Sequence, residues 1–203
     1  KDIDGAILIY DEKNDSWIFN YEKDIRKKTP IGSLFNLPNA LIGLDLGIIS
    51  TDSGQIMAWD GVKRYHFGLA KTSWNCNTNL DEALDYKTDW YFQNISKLVK
   101  PSDYQYFLKR LNLTNINYKN KISYYWHFGG LETTPQQQIS FLKKLNKREL
   151  FFQKESQQYL YDKMLLVENE KYTIHGYETF NVFEGKRIDW WIGVLKTKDN
   201  TYY

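Results

Sequence analysis

The segment Ser33-Leu34-Phe35-Asn36-Leu37-Pro38-Asn39-Ala40-Leu41-Ile42-Gly43-Leu44 decides how the rest of this 203-residue chain is interpreted. Its leucines recur every three or four residues, which predicts a helix that is buried along one face. Ser33 stands at the start of that helix, directly after the turn-prone Pro30-Ile31-Gly32. Two interpretations of its hydroxyl stay open at this point. It either caps the first turn by accepting a backbone N–H bond, or it is a nucleophile beside N–H groups that stabilise an oxyanion.

The composition indicates a globular protein with an aromatic core. Aromatic residues make up 17% of the chain, and 27 basic side chains nearly balance 25 acidic ones. A net charge of +2 gives no reason to expect a nucleic-acid partner, and no apolar run is long enough to cross a membrane. The single Cys76 excludes an internal disulfide. The three histidines lack the spacing of metal ligands, so we expect no metal and no cofactor; they are His66, His127 and His175.

Predicted strands lie at both ends of the chain, with helices between them. Apolar runs at residues 5–10 and 16–21 flank a polar turn and predict a hairpin. Helical patterns begin near residues 80, 101 and 134, and one more covers residues 154–167. Strand patterns return at residues 172–177 and 189–195. This order predicts an α/β protein of the α+β type, whose antiparallel sheet is formed from both chain ends (about 1–30 and 168–203) around a mainly helical part (about 31–167).

Several of these segments resemble the class D (oxacillinase-type) serine β-lactamases and the related penicillin-sensing domains. Residues 33–44 are similar to the active-site helix of that family, where Ser-x-x-Lys precedes an apolar-Pro-Asn-apolar run. Further similar segments lie at residues 59–61 (Trp-Asp-Gly), 80–93, 124–131, 138–145 and 188–193. The resemblance implies one β-lactamase/transpeptidase-like domain over residues 1–203, exported from a bacterium to the periplasm or the outside after removal of a signal peptide. We also expect this chain to lack the family's C-terminal strand and helix.

The residues that carry chemistry in this family differ here. Asn36 stands where the family has a lysine, which is carbamylated and acts as the general base. An amide has no usable proton affinity near neutral pH, so Asn36 cannot activate a serine. The family's Ser-x-Val motif falls on Lys87-Thr88-Asp89, its Tyr-Gly-Asn motif on Leu113-Thr114-Asn115, and its Lys-Thr-Gly motif on Tyr177-Glu178-Thr179. The last motif holds the substrate carboxylate in the family, and Glu178 would repel that group.

Other positions stay compatible with the family's chemistry. The resemblance implies that Ser33 is the nucleophile and that the backbone N–H groups of Ser33 and Phe180 form the oxyanion hole. Trp126 occupies the position of a tryptophan that packs on the carbamylated lysine, although a plain core aromatic explains it as well. Ligand contacts are expected from Trp126, Asn115, Asp89, Tyr177, Glu178 and Thr179.

Three functions remain open from the sequence. The first is a family member that is catalytically impaired or inactive. The second is a serine enzyme that forms an acyl-enzyme with β-lactams on Ser33, with a desolvated Lys87 as its base. Against it, Lys87 could simply be ion-paired with a nearby carboxylate, the candidates being Asp85, Asp89 and Glu178. The third is a domain that binds or senses a β-lactam or a peptidoglycan-derived small molecule.

Overall fold

A six-stranded antiparallel sheet forms one layer of the protein, in the order β2-β1-β10-β9-β8-β7. The structure, a computed structural model, describes residues 5–66, 69–113, 126, 130–183 and 185–203. The sheet strands are β1 (Leu8–Asp11), β2 (Ser16–Phe19), β7 (Leu165–Glu168), β8 (Tyr172–Phe183), β9 (Lys186–Thr197) and β10 (Thr201–Tyr202). The two chain ends therefore meet in one sheet, which confirms the predicted fold class.

Seven helices lie within the described residues, together with two short strand pairs. The helices are α1 (Glu22–Ile25), α2 (Asn36–Asp45), α3 (Leu80–Tyr86), α4 (Asp89–Leu98), α5 (Pro101–Arg110), α6 (Pro135–Lys147) and α7 (Lys154–Lys163). The short pairs are β3 (Thr29–Pro30) with β6 (Glu132–Thr133), and β4 (Tyr65–His66) with β5 (Leu69–Ala70). None of these helices is long and apolar enough to span a membrane.

Local sequence signals account for several helix ends. Asn79 and Thr134 form capping boxes at the starts of α3 and α6, each with an acceptor side chain three residues later. Proline occupies the first position of α5 and α6, where its missing N–H costs no hydrogen bond. These starts confirm the boundaries predicted near residues 80, 101 and 134.

The prediction of a helix over residues 154–167 is wrong at its C-terminal end. Helix α7 ends at Lys163, and Leu165–Glu168 is the edge strand β7. Strand β7 has the sequence Leu-Leu-Val-Glu, and it pairs antiparallel with the first residues of β8. Pairing with the next strand, β8, overrides the helical pattern that continues from α7, because strand propensity depends on what the strand packs against.

The buried helix α2 connects the helical layer to the sheet. It packs against α4 and α7, and the 3-10 turn before it (Gly32–Phe35) packs against β8. Strand β7 pairs with β8 only at residues 173–175, so further along this edge β8 faces the 3-10 turn. This arrangement places Ser33 where the edge of the sheet meets the helices.

Candidate active site

Ser33 lies in the 3-10 turn and is 5% exposed. No side chain caps this turn or α2, so the N-cap interpretation of Ser33 is wrong. The preceding Gly32 has φ +53°, a left-handed conformation that suits glycine. A Cβ on Gly32 would lie 2.2 Å from Cγ of Asn181, so only glycine admits that side chain at this distance.

Both hydrogen-bond donors of Ser33 are directed at side chains of the protein. Its backbone N–H donates to Oδ1 of Asn181 over 2.9 Å. Its hydroxyl lies 3.1 Å from Oδ1 of Asp89 and 3.3 Å from Oδ1 of Asn181. A hydroxyl carries one proton, so these two acceptors share it or compete for it. Ser33 is therefore held between α4 and β8.

Asn181 is a site residue that the sequence analysis missed. It lies on β8 and shares a face of that strand with Tyr177 and Thr179, all three being buried. Its Nδ2 donates to Oγ1 of Thr179 over 3.2 Å and lies 3.4 Å from the carbonyl oxygen of Ile188. Strand alternation was the signal that could have found it, because residues two apart on a strand point to the same side.

Asn36 is fully buried one helical turn after Ser33. Neither its Oδ1 nor its Nδ2 makes a hydrogen bond of ordinary geometry with a described residue, and the same holds for the hydroxyl of Tyr177. Burial raises the pKa of Tyr177, while the neighbouring Asn36 amide opposes this rise. The position that resembles the family's base therefore holds a neutral amide beside a neutral phenol.

Lys87 pairs with a carboxylate and makes no hydrogen bond to Ser33. It ends α3 with φ +54°, and its Nζ lies 3.7 Å from Oε1 of Glu178. The same Nζ lies 5.5 Å from the ring centre of Tyr177. Lys71 is close enough that Lys87, together with burial as the larger cause, lowers the pKa of Lys71. The structure thus places Lys87 beside Tyr177 of β8, with Glu178 as its partner.

The remaining predicted residues are distributed unevenly around Ser33. Trp126 is fully buried, and its ring centre lies 5.1 Å from that of Phe35. The ring of Phe180 is 44% exposed, on the face of β8 that points away from Asn181, with the Arg187 guanidinium 5.1 Å from its centre. Asn115 lies outside the described residues. Its role, and the oxyanion role of the Phe180 N–H, stay predictions.

In the part of the chain that the structure describes, no group of three or more His, Cys, Asp or Glu side chains could hold a metal ion. Charged side chains of both signs lie around the start of α4. Asp89 lies beside the Ser33 hydroxyl, Lys87 is paired with Glu178, and both Lys87 and Asp89 affect the pKa of Lys71.

A family model described as "Penicillin binding protein transpeptidase domain" matches residues 4–203. The chain belongs to this family, within its class D serine β-lactamase-like branch. Among curated relatives, "Probable beta-lactamase YbxI" of Bacillus subtilis is 30% identical over 203 residues, which are 100% of this chain and 73% of that protein.

Solved structures agree with this assignment. The crystal structure of the class D β-lactamase YbXI from Nostoc superposes with a TM-score of 0.86 at 28% identity, covering 98% of this chain and 81% of that one. The C-terminal domain of the Bacillus licheniformis BlaR penicillin-receptor superposes with a TM-score of 0.85 at 25% identity, covering 98% of this chain and 78% of that one. The family thus includes both β-lactamases and a penicillin receptor.

Proposed function

We propose that this chain is a class D β-lactamase-like, penicillin-binding-family domain that does not turn over β-lactams efficiently. The observation that carries the proposal is Asn36, which is fully buried one turn after Ser33 and has no titratable proton near neutral pH. Loss of a general base costs about 100- to 10,000-fold in rate. We also propose that residues 1–203 act as one domain of an exported bacterial protein, as its resemblance to class D enzymes implies.

The carboxylate-binding side of the cleft supports the same conclusion. The strand that holds the substrate carboxylate in the family carries Tyr177, Glu178 and Thr179 here. Tyr177 is buried and, unlike the lysine of the family motif, carries no positive charge. Thr179 already accepts a hydrogen bond from Asn181. The Asp89 carboxylate adds negative charge beside the Ser33 hydroxyl, whereas Glu178 is paired with Lys87.

A rewired enzyme with Lys87 as base receives less support. The ammonium of Lys87 lies beside Glu178, whereas the Ser33 hydroxyl points to Asp89 and Asn181. A general base must reach the proton it removes, directly or through one water. Lys87 would have to leave Glu178 and replace Asp89 as the acceptor of the Ser33 hydroxyl.

Ligand binding or sensing is the second candidate function, and a specific comparison favours it. The BlaR penicillin-receptor domain matches 98% of this chain. A receptor needs no turnover, but covalent capture still needs an activated Ser33, so a site without a base is compatible only with non-covalent binding of a β-lactam or a peptidoglycan-derived small molecule.

Hydrolysis of a chromogenic cephalosporin tests the proposal. The initial rate is measured for the wild-type chain, for Ser33→Ala, and for Ser140→Ala as a control on an exposed serine of α6. We expect all three proteins to give the same background rate. A wild-type rate 100-fold or more above that of Ser33→Ala, with Ser140→Ala as active as the wild type, would overturn the proposal.

A further inference from the structure

The backbone N–H of Ser33 is already occupied by another part of the protein. Oδ1 of Asn181 accepts its hydrogen bond over 2.9 Å and lies 3.3 Å from the Ser33 hydroxyl oxygen. A donor that stabilises an oxyanion must lie 2.7–3.1 Å from the oxygen it serves. The amide oxygen of Asn181 therefore stands within the distance range that the carbonyl oxygen of an acylating ligand would need.

We propose that the Asn181 carboxamide is a built-in plug, which fills the oxyanion position at Ser33 and excludes acylating ligands from this serine. The inference rests on the proposed function in one respect, because it concerns the same cleft. It adds a second obstacle to reaction that is independent of the missing base. Restoring a base at residue 36 would not remove it.

The surroundings of Asn181 hold the plug in place. The side chain is buried, and its Nδ2 contacts Oγ1 of Thr179 and the carbonyl oxygen of Ile188. The missing side chain of Gly32 provides the space, since a Cβ there would lie 2.2–2.4 Å from three atoms of the Asn181 amide group. A ligand carbonyl would have to displace an amide that is hydrogen-bonded through both its oxygen and its nitrogen.

Phenylboronic acid is a probe of this position that does not depend on turnover. The Ser33 hydroxyl oxygen adds a lone pair to the trigonal boron, its proton passes to water, and no bond of the boronic acid breaks. The product is a tetrahedral boronate anion, with an oxygen available to the Ser33 N–H. Boron-11 NMR distinguishes the trigonal acid from the tetrahedral adduct.

The experiment compares the wild-type chain with Asn181→Ala and Asn181→Asp. Asn181→Ala removes the plug, whereas Asn181→Asp keeps an acceptor oxygen at the Ser33 N–H in a side chain of the same shape. We expect the affinity for phenylboronic acid to rise at least tenfold in Asn181→Ala and not to rise in Asn181→Asp. The gain must disappear in the double variant with Ser33→Ala.

Two outcomes would overturn the plug. One is a Ser33-dependent adduct in the wild-type chain as strong as in Asn181→Ala, and the other is a folded Asn181→Ala with no gain. Circular dichroism checks folding, and Asn181→Ser replaces Asn181→Ala if the alanine variant is unfolded. Cephalosporin hydrolysis is measured on the same proteins. Hydrolysis by the wild type refutes the proposed function, whereas boronate binding alone decides the plug, so the two failures are distinguishable.

Discussion

The hydroxyl of Ser33 lies 3.1 Å from the carboxylate of Asp89, so the 3-10 turn before α2 is joined to the first residue of α4. In the family this position belongs to the valine of Ser-x-Val, which is uncharged. Here a carboxylate lies directly beside the serine. Its charge is expected to repel ligands that carry a carboxylate of their own.

Removing this charge is expected to strengthen the binding of anionic ligands. Asp89→Asn keeps an oxygen acceptor for the Ser33 hydroxyl and deletes the charge. We expect the affinity for benzylpenicillin to rise about three- to tenfold at low ionic strength, with a smaller gain at high salt because ions screen the repulsion. Calorimetric titration at two salt concentrations measures it. Asp199→Asn, at an exposed turn, is the control, and an unchanged affinity in Asp89→Asn would argue against repulsion.

Lys87 is expected to contribute nothing to the reactivity of Ser33, since its ammonium lies 3.7 Å from the Glu178 carboxylate. We expect Lys87→Met to leave the rate of labelling by a fluorophosphonate probe within twofold of the wild-type rate. Labelling is followed by mass spectrometry, and the rate measured for Ser33→Ala is taken as the background. Lys97→Met, on the exposed side of α4, controls for loss of a surface charge. If the wild type is labelled faster than Ser33→Ala and Lys87→Met falls to the level of Ser33→Ala, Lys87 acts as the base.

Two buried asparagines of α2 are expected to respond in opposite ways to the same substitution. Nδ2 of Asn39 donates to the Phe92 carbonyl and the Ser96 hydroxyl, whereas the amide of Asn36 lacks a hydrogen bond of ordinary geometry with a described residue. Asn39→Leu breaks a satisfied buried network and should lower the free energy of unfolding by about 2–4 kcal/mol.

Asn36→Leu removes polar atoms that gain little from their surroundings. We expect it to change the free energy of unfolding by less than about 1 kcal/mol, or to raise it. Urea denaturation of both variants against the wild type measures the difference. A loss in Asn36→Leu as large as in Asn39→Leu would show that Asn36 is satisfied in solution, for example by bound water.

Acidification is expected to destabilise the fold through His175. Its ring stacks on Tyr161 with centres 3.9 Å apart. Its pKa is lowered by burial first and by Lys196 next, against an opposing effect of Asp162 and with a smaller lowering effect of Arg148. The pKa of His175 in the folded state lies below its unfolded-state value of about 6.5. The free energy of unfolding is therefore unaffected by protonation of His175 above about pH 6.5, and it falls as the pH drops below that value.

Because His175 takes up a single proton, the pH dependence that it gives to the free energy of unfolding has an upper limit. The free energy of unfolding should fall by at most about 1.4 kcal/mol per pH unit between about pH 6.5 and the lower folded-state pKa of His175. Urea denaturation at several pH values measures it. His175→Phe keeps an aromatic ring against Tyr161 and should lose most of this slope. An equal slope in wild type and variant would assign the effect to other groups.

The sequence predicted the sheet from both chain ends because its strands and its capped helices carry local signals. Thr134 and Pro135 predicted the start of α6, and the structure has the same start. Strand β7 was missed because the helical pattern of α7 continues into it, although its partner β8 begins only four residues after β7 ends. Leu165–Glu168 follows α7 with the same apolar pattern, so only the neighbouring strand distinguishes it from helix.

The candidate active site could also be predicted only in part from the sequence. Ser33 and Asn36, which stands where the resemblance places the family's lysine, were visible in one short segment. The partners of Ser33 are 56 and 148 residues away along the chain, at Asp89 and Asn181. No spacing rule connects such residues, since tertiary packing brings them together. Asn181 lies outside the family motifs and entered only through the geometry of β8.

Intact-mass spectrometry after incubation with benzylpenicillin tests the proposed loss of β-lactam chemistry most directly. The wild-type chain is compared with Ser33→Ala, and circular dichroism verifies that both are folded. With Asn36 in place of a base and Asn181 on the Ser33 N–H, we expect no mass increase in either protein. A stable increase by the mass of one penicillin in the wild type, absent in Ser33→Ala, would contradict this expectation and show that Ser33 still acts as a nucleophile.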